Sequence, residues 1–344
     1  MKRALVTGGS GYFGEVVARR LRERGYQVRI FDLVDNADRS ADIELMKGDI
    51  RDPAAIRRAC EGVELVHHNV AQVPVAKNAE LFWSVNVDGT RNLLDAVKDA
   101  GVKKTVLVSS SAIFGVPPRN PVDDSVQPAP REEYGRAKLA GEDLARERSK
   151  RDGLDVSIVR PRTILGHGRL GIFQILFEWV RTGSNVFVLG SGNNRYQFVH
   201  ADDLAEACIL AGERPGSSTY NVGAEHFGTM RELLEGLVRH AGTKSRVRSL
   251  PTGLAVKGME LTSKLGLSPL GGYHSLMYGK EMFFDLARAK AELGWAPKFS
   301  NHQMICESYD YYVKHRDEIL ARSNASHHRS PLKQGALKLL EYIP

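Results

Sequence analysis

Thr7-Gly8-Gly9-Ser10-Gly11-Tyr12-Phe13-Gly14 is the stretch that decides the fold. It follows a short apolar run, Ala4 to Thr7, and opens an amphipathic run whose apolar residues recur at Val16, Val17 and Leu21. Glycines set between a strand pattern and a helix pattern read as a dinucleotide-binding turn. Gly8 permits the tight turn, Gly11 lets the backbone approach a pyrophosphate, and Gly14 allows close helix-strand packing. Tyr12 and Phe13 stand in the same turn, where the helix amino terminus offers N–H groups and partial positive charge to the diphosphate. Asp32 ends the next strand pattern. An acid there accepts from both adenosine ribose hydroxyls and repels a 2′-phosphate, which favours NAD over NADP. Residues 33–36 carry no basic side chain, and Arg29 and Arg39 are the nearest ones.

The same rhythm continues outward. Runs at 27–31, 43–47, 65–68, 105–109 and 156–160 read as strands, several nearly continuous in apolar residues, with helical patterns between them. Strands buried on both faces by crossover helices have that composition. The sequence therefore predicts an α/β fold, a doubly wound parallel (Rossmann) sheet with a smaller C-terminal substrate-binding lobe. Right-handed crossovers bring every strand's carboxyl end to one edge, where ligands bind. After Pro161 the rhythm changes. A Gly-rich loop (Gly166, Gly168, Gly171) precedes a helix over 172–181, a strand at 186–189, a helix over 202–212 and a strand at 219–222. A helix opening near Thr229, a loop-rich stretch at 265–279 and a helix at about 301–316 complete the series.

The expected organisation is an NAD-binding Rossmann domain over 1–165, with parts of 190–225 returning to the sheet. A mixed α/β substrate-binding lobe follows over 166–320, then a C-terminal tail over 321–344. Leu332, Leu337, Leu339, Leu340 and Ile343 give the tail a weak helical stripe, suited to docking on the body or on a sister subunit. A peripheral membrane contact through 331–344 is the alternative.

With 42% hydrophobic and 26% charged residues among 344, wholesale disorder is excluded. No apolar run reaches the ~20 residues of a membrane span, and Met1-Lys2-Arg3 leads into a strand pattern, so a soluble, cytoplasmic protein is expected. Cys60, Cys208 and Cys306 are far apart and lack the spacing of a zinc site or a disulfide frame, so no metal is expected. His67 and His68 read as packing or loop-ordering residues. The net charge of +7 is scattered without a concentrated stripe. That argues against nucleic acid and fits an anionic small-molecule partner.

Ser109-Ser110-Ser111 closes the fifth strand pattern at the cofactor edge, and Tyr134-Gly135-Arg136-Ala137-Lys138 starts a helix. A spacing of four puts Tyr134 and Lys138 on one face. A free phenol titrates near ~10, so a neighbouring ammonium and a positive nicotinamide are needed to favour the tyrosinate at neutral pH. Lys138 supplies the ammonium in this reading. Tyr134 then takes the hydroxyl proton of a carbinol as hydride leaves its carbon, while Ser110 hydrogen-bonds the same oxygen. Gly48-Asp49-Ile50 follows the third strand pattern and places Asp49 and Ile50 at the adenine edge, a helix-capping turn being the plainer alternative for Asp49.

In order along the chain stand TGGSGYFG (7–14), Asp32, GDI (48–50), HNVAQVP (68–74), VNVDGTRNLL (85–94), SSSAIFG (109–115) and YGRAK (134–138). RPRTILG (160–166), RYQFVHADDLAEA (195–207), YNVG (220–223) and ELGWAP (292–297) follow. Through this series residues 1–316 resemble the extended short-chain dehydrogenase/reductase family, in particular its NAD-dependent nucleotide-sugar epimerase/dehydratase group. The resemblance implies that Ser110, Tyr134 and Lys138 are catalytic and that Ser110, Ser111 and Tyr134 meet the substrate. It also implies that Asn86 orders the site near the nicotinamide ribose and that Val70 lines the cofactor groove. Arg195 matches an arginine that binds a substrate diphosphate; an ion pair with Asp202 or Asp203 is the plainer alternative.

The activity so implied is epimerisation of a nucleotide-diphosphate sugar, by hydride abstraction and return through a keto intermediate. Helices over 79–98 and 132–151 pair across a dimer contact in this family, implying a homodimer. Two departures bear on the chemistry. Ser111-Ala112 follow Ser110 where dehydrating members usually carry an acid, so dehydratase and decarboxylase action fall behind. Arg160-Pro161-Arg162-Thr163 replaces an Arg-Tyr-Phe-Asn string, and Arg-Pro also occurs in the branch resembling 3β-hydroxysteroid dehydrogenases. Net NAD-dependent dehydrogenation of a sterol-like or other apolar alcohol is therefore the alternative activity.

Overall fold

Alternation of side chains along β1 (Arg3–Thr7) shows how the sheet is buried. Leu5 joins a core with Phe31, Ile56, Val66 and Leu93, whereas Ala4 and Val6 face the opposite core with Val17, Leu21, Ile30 and Ile209. In the computed structural model, which describes residues 2–36, 39–73, 79–169, 171–264, 277 and 279–321, that strand lies inside a seven-stranded sheet, third from one edge. Its other members are β2 (Gln27–Asp32), β3 (Glu44–Lys47), β4 (Leu65–His68), β5 (Lys104–Val108), β6 (Val156–Pro161) and β10 (Thr219–Val222). β7 (Thr163–Leu165) pairs with β9 (Phe198–His200), and β8 (Val186–Leu189) with β11 (Val247–Leu250), outside it.

The strand order is β3-β2-β1-β4-β5-β6-β10 and every pairing is parallel. The order reverses at β1, where Thr7 lies opposite Phe31 on one side and His68 on the other. A crevice opens at such a reversal, outside the carboxyl ends of the strands. Helices α1 (Tyr12–Glu23) and α7 (Ala201–Glu213) cover one face. The other is covered by α2 (Pro53–Cys60), α4 (Gly89–Ala100) and α5 (Glu133–Asp152). Each Leu or Ile fully withdrawn into these layers contributes roughly 1.5–3 kcal/mol.

The strand expectations hold within a residue or two, and so do the helices begun by caps. Thr229 opens α8 (Met230–Ala241) with a capping box to Glu232, and Ser300 opens the helix Asn301–Lys314 with one to Gln303. The single helix expected over 79–98 is instead divided. A short α3 (Ala79–Trp83) runs into a wide turn at Ser84–Asp88 before α4 begins. α6 (Ile172–Thr182), α8 and the helix Asn301–Lys314 enclose a second core of Phe177, Val186, Val188, Leu237, Met304 and Tyr312. The tail from residue 322, with its docking or membrane contact, and nearly all of the 265–279 stretch lie outside the described residues. Among the described residues no helix is long and apolar enough to cross a membrane.

Candidate active site

At the end of β1 the chain turns at Gly8, whose φ of +70° is a conformation L side chains rarely adopt. A Cβ on Gly8 would meet the Val70 nitrogen at 3.0 Å, and one on Gly14 would lie 2.0 Å from the Gly8 carbonyl oxygen. Gly11 begins α1 without a side-chain cap. Backbone therefore lines this turn where a side chain would fill it, which is what a diphosphate resting on a helix amino terminus needs. Gly8, Gly11, Tyr12, Phe13, Gly14, Asp32, Asp49, Ile50 and Val70 line one cavity of about 700 Å³. Ser110, Ser111, Tyr134 and Lys138 line the same cavity.

Asp32 accepts from the Ser10 and Val34 amides at 3.0 and 3.4 Å, and burial raises its carboxyl above the usual range. Both nearby arginines are committed elsewhere. Arg29 binds Glu44 and the carbonyls of Ala59 and Glu61, and Arg39 binds Asp35. A 2′-phosphate at Asp32 would meet a carboxylate and neither of these cations. Asp49 is held by Arg51, whose side chain keeps the carboxyl below its usual range, and α2 is capped by Asp52 instead.

Asn86 sits in the wide turn before α4 and does not itself line the cavity. Its carboxamide accepts from the Gln72 amide at 2.8 Å and donates to the Gln72 carbonyl at 3.1 Å, fixing the strand-end loop that carries Val70. Thr90 donates its hydroxyl proton to the Asn86 carbonyl, so it accepts from His68 Nε2. His68 Nδ1 is then left to accept from the Thr7 hydroxyl at 2.7 Å. Burial drives both His67 and His68 down to about 3, so both rings are neutral and their part is packing and loop order.

The chemical residues come from two elements pressed together. Glu132 caps α5 by accepting the Tyr134 and Gly135 amides at 2.9 and 2.8 Å. Gly135 lets the helix lie so close to the turn Ser111–Phe114 that a Cβ would stand 2.6 Å from the Ala112 carbonyl oxygen. Tyr134 and Ser110 thereby line the same cavity, the Ser110 hydroxyl favouring the ionised phenol. Lys138 donates to the Val108 carbonyl at 2.7 Å, and burial brings its ammonium down to about 8. The expectation that Lys138 holds Tyr134 ionised is not met in the protein alone. Burial pushes the phenol up to about 12, against the Ser110 hydroxyl and the Arg169 guanidinium, which favour ionisation.

Three charged residues at this site escaped the sequence reading. Glu142 grips Arg160 beneath Lys138, and its place eight residues after Tyr134 on the same helix face was a signal for it. Arg162 donates Nη1 to Ser111 at 2.7 Å and lies over the Tyr196 ring at 4.8 Å. Arg169 lies over Tyr12 at 5.4 Å, and burial lowers its guanidinium to about 10. Both arginines line the cavity, yet strand and loop periodicity carries no sign of which way either points. Arg195 does not line it. Its Nε pairs with Glu281 at 2.9 Å and its guanidinium rests on Phe283. Its expected alternative partners are occupied: Asp202 binds Arg19 and Arg20, and Asp203 accepts the Lys298 and Phe299 amides.

His167, His200 and Glu307 also converge, with ligand atoms within 4.8 Å of one another. His200 Nδ1 accepts from the Asp202 amide, so its Nε2 bears the proton directed to Glu307 and has no lone pair for a metal.

A profile of the NAD dependent epimerase/dehydratase family matches residues 4–223. The uncharacterized protein y4nG of Sinorhizobium fredii is 53% identical over 342 residues, covering 99% of this chain and 86% of that protein. The 3beta-hydroxysteroid-dehydrogenase/decarboxylase isoform 2 of Arabidopsis thaliana is 30% identical over 353 residues, covering 90% of this chain but only 61% of the plant protein. Among solved structures, the dTDP-glucose 4,6-dehydratase DesIV of Streptomyces venezuelae, crystallised with NAD, superposes with a TM-score of 0.74 at 26% identity. It covers 92% of this chain and 98% of its own. A glycine cradle without room for Cβ atoms, an acid at the end of β2 and the matching profile lead to one statement: the chain belongs to the NAD-dependent epimerase/dehydratase family of enzymes.

Proposed function

We propose that the protein is a net NAD-dependent dehydrogenase of a secondary alcohol with an apolar body, sterol-like in shape. The observation that carries this reading is the cavity itself. It joins Ser110, Tyr134 and Lys138 to the glycine cradle, and the chain beyond Pro161 lines it with Ile164, Ile172 and Phe173 while Arg195 stays outside. The plant steroid dehydrogenase relative supports the same class of substrate.

Ser110 and Tyr134, side by side on the cavity wall, hold one substrate hydroxyl between them. When bound, NAD supplies the hydride acceptor, and its positive ring favours the phenolate. Tyr134 takes the hydroxyl proton, and Ser110 donates to the oxygen as it becomes a carbonyl. Lys138, one helical turn from the phenol, is fixed by the Val108 carbonyl and adds positive charge beside it. In the reverse direction Tyr134, a neutral phenol by burial, is the acid that protonates the reduced ketone.

A second reading, epimerisation of a nucleotide-diphosphate sugar, is favoured by one feature. Ser111 is tied to Arg162 and Ala112 follows it, so no acid next to Ser110 diverts a keto sugar towards loss of water. The NAD-loaded protein incubated with 3β-hydroxysteroids and with UDP- and dTDP-sugars decides between them. Lasting NADH fluorescence with a steroid is the expected result. Sugar stereoisomers detected by NMR without NADH accumulation would overturn it in favour of epimerisation.

A further inference from the structure

The glycine-rich loop after Pro161 brings a cation into the cofactor cavity. The Gly166 carbonyl accepts from the Arg169 amide at 3.0 Å and from the Ser308 hydroxyl at 3.1 Å, which closes the loop into a tight turn and ties it to the helix Asn301–Lys314. Gly166 has φ +143°, and a Cβ there would stand 3.0 Å from both the Tyr12 hydroxyl and His200 Nε2. A residue without a side chain lets the loop lie this close to Tyr12. On the outer side, His167 Nε2 lies 3.8 Å from Glu307 Oε2. Arg169 is thereby set against the first turn of α1, its guanidinium over the Tyr12 ring at 5.4 Å.

Arg169 differs from the other cations that line the cavity. Arg51 is held by Asp49, Lys138 donates to the Val108 carbonyl and Arg162 donates to the Ser111 hydroxyl. No carboxylate pairs with Arg169 among the described residues, and its buried Nε has no hydrogen-bond partner there. Burial lowers its guanidinium to about 10, so in the protein alone the charge is held at a cost that an anionic acceptor would remove. The neighbouring turn lacks positive charge. A diphosphate resting on Gly8, Gly11 and Gly14 carries a negative charge on each phosphate, whereas the amino terminus of α1 offers roughly half a positive charge. Tyr12 is the first residue of α1, so the cation stacked on its ring lies next to that helix end. The shortfall at the cradle and the uncompensated cation beside it are complementary.

We propose that Arg169 is a second receptor for the cofactor's diphosphate, acting beside the α1 amino terminus, so that NAD is held jointly by the sheet edge and by the loop at 166–169. The planar fork of a guanidinium suits phosphate oxygens, which it meets with parallel donors. This goes beyond the dehydrogenase reading and does not depend on it, because oxidation and epimerisation alike need the cofactor in place. A substrate carrying a diphosphate offers the same oxyanions. The seat of Arg169 on Tyr12, within the cofactor turn, assigns the arginine to NAD.

Full-length protein freed of cofactor is titrated by calorimetry with NAD and with ADP-ribose, and adenosine is measured by its competition with NAD. Arg169→Gln is expected to weaken NAD and ADP-ribose alike by about 10- to 100-fold, to leave adenosine within a factor of about two, and to be partly rescued in Arg169→Lys. In the wild type, ADP-ribose should slow hydrogen exchange of the amides at 167–169 and adenosine should not. NAD binding Arg169→Gln as tightly as the wild type, a loss for NAD without one for ADP-ribose, an equal loss for adenosine, or no slowing of exchange by ADP-ribose would each overturn the proposal. UDP titrated into the NAD-loaded protein separates the two sources of diphosphate. Loss of UDP binding in Arg169→Gln with NAD affinity retained would overturn the assignment in favour of a substrate diphosphate. If Arg169→Gln does not fold by circular dichroism, the exchange measurement on the wild type decides alone. None of these readouts uses turnover, so the absence of NADH from every alcohol tested would remove the dehydrogenase and leave the receptor standing.

Discussion

At the scale of single residues, burial and its polar neighbours Ser110 and Arg169 pull Tyr134 in opposite directions, and burial wins in the protein alone. In the proposed mechanism the Tyr134 hydroxyl takes the carbinol proton once the positive nicotinamide lies beside it and returns it in the reverse direction. Removing it in Tyr134→Phe is expected to lower hydride transfer by about 10²- to 10⁴-fold while leaving NAD affinity within a factor of about two, because the ring and its contact with Phe82 remain. Stopped-flow NADH fluorescence and a cofactor titration measure the two numbers independently. Gly14 offers the converse case. A methyl group 2.0 Å from the Gly8 carbonyl oxygen cannot be accommodated by a side-chain shift, since the obstacle is backbone. Gly14→Ala should therefore reopen the turn, costing about 1–3 kcal/mol of stability and weakening NAD more than about tenfold, as read by thermal melting and titration.

Elements carry the next layer of the argument. The wide turn at Ser84–Asp88 interrupts what periodicity alone presents as one helix, and it is held by side chains: Thr90 on the Asn86 carbonyl and, across the fold, Asn86 on the backbone N–H and C=O of Gln72. Asn86→Ala removes two of these bonds, each worth about 1 kcal/mol, and frees the loop that carries Val70. The expected outcome is an NAD affinity about tenfold lower with the melting temperature changed by only a few degrees. An unchanged dissociation constant would show that the loop holds its place without Asn86.

The same contrast explains what could be read in advance. Glycines, Asp32, Ser110 and the Tyr134/Lys138 pair are legible because their meaning lies in short spacings along one strand-turn-helix unit. β7 and β9 are missed because runs of 3 residues carry too little periodicity, and β11 because its exposed Arg248 and Ser249 break the apolar run. Arg162, Arg169 and the partner of Arg195 were beyond reach for another reason. Glu281 meets Arg195 across 86 residues of chain, and Ser111 meets Arg162 across 51, so their orientation is a property of the folded packing.

For the molecule as a whole, the two buried histidines at the end of β4 set a response to acid. Each has its folded pKa pushed down to about 3, against 6.5 in the unfolded chain. Between those limits the unfolded state binds a proton that the folded state refuses. Stability is therefore full above pH 6.5 and declines as pH falls towards 3, by roughly 1.4 kcal/mol per pH unit for each ring. The ring nitrogens of His67 have no partner among the described residues, so His67→Leu should keep stability at pH 7 and make the acid slope shallower by about one such increment. Urea unfolding at neutral and mildly acidic pH measures this. An identical slope in the variant would assign the response to carboxylates instead.

The last strand of the sheet comes from far along the chain, since β10 pairs with β6 through Tyr220 opposite Val159. A shortened polypeptide stopped at residue 165 would thus present the bare flank of Val156–Pro161, a row of unanswered peptide groups that invites another copy to zip onto it. A cut at that point therefore separates β6 from its only neighbour on that side of the sheet.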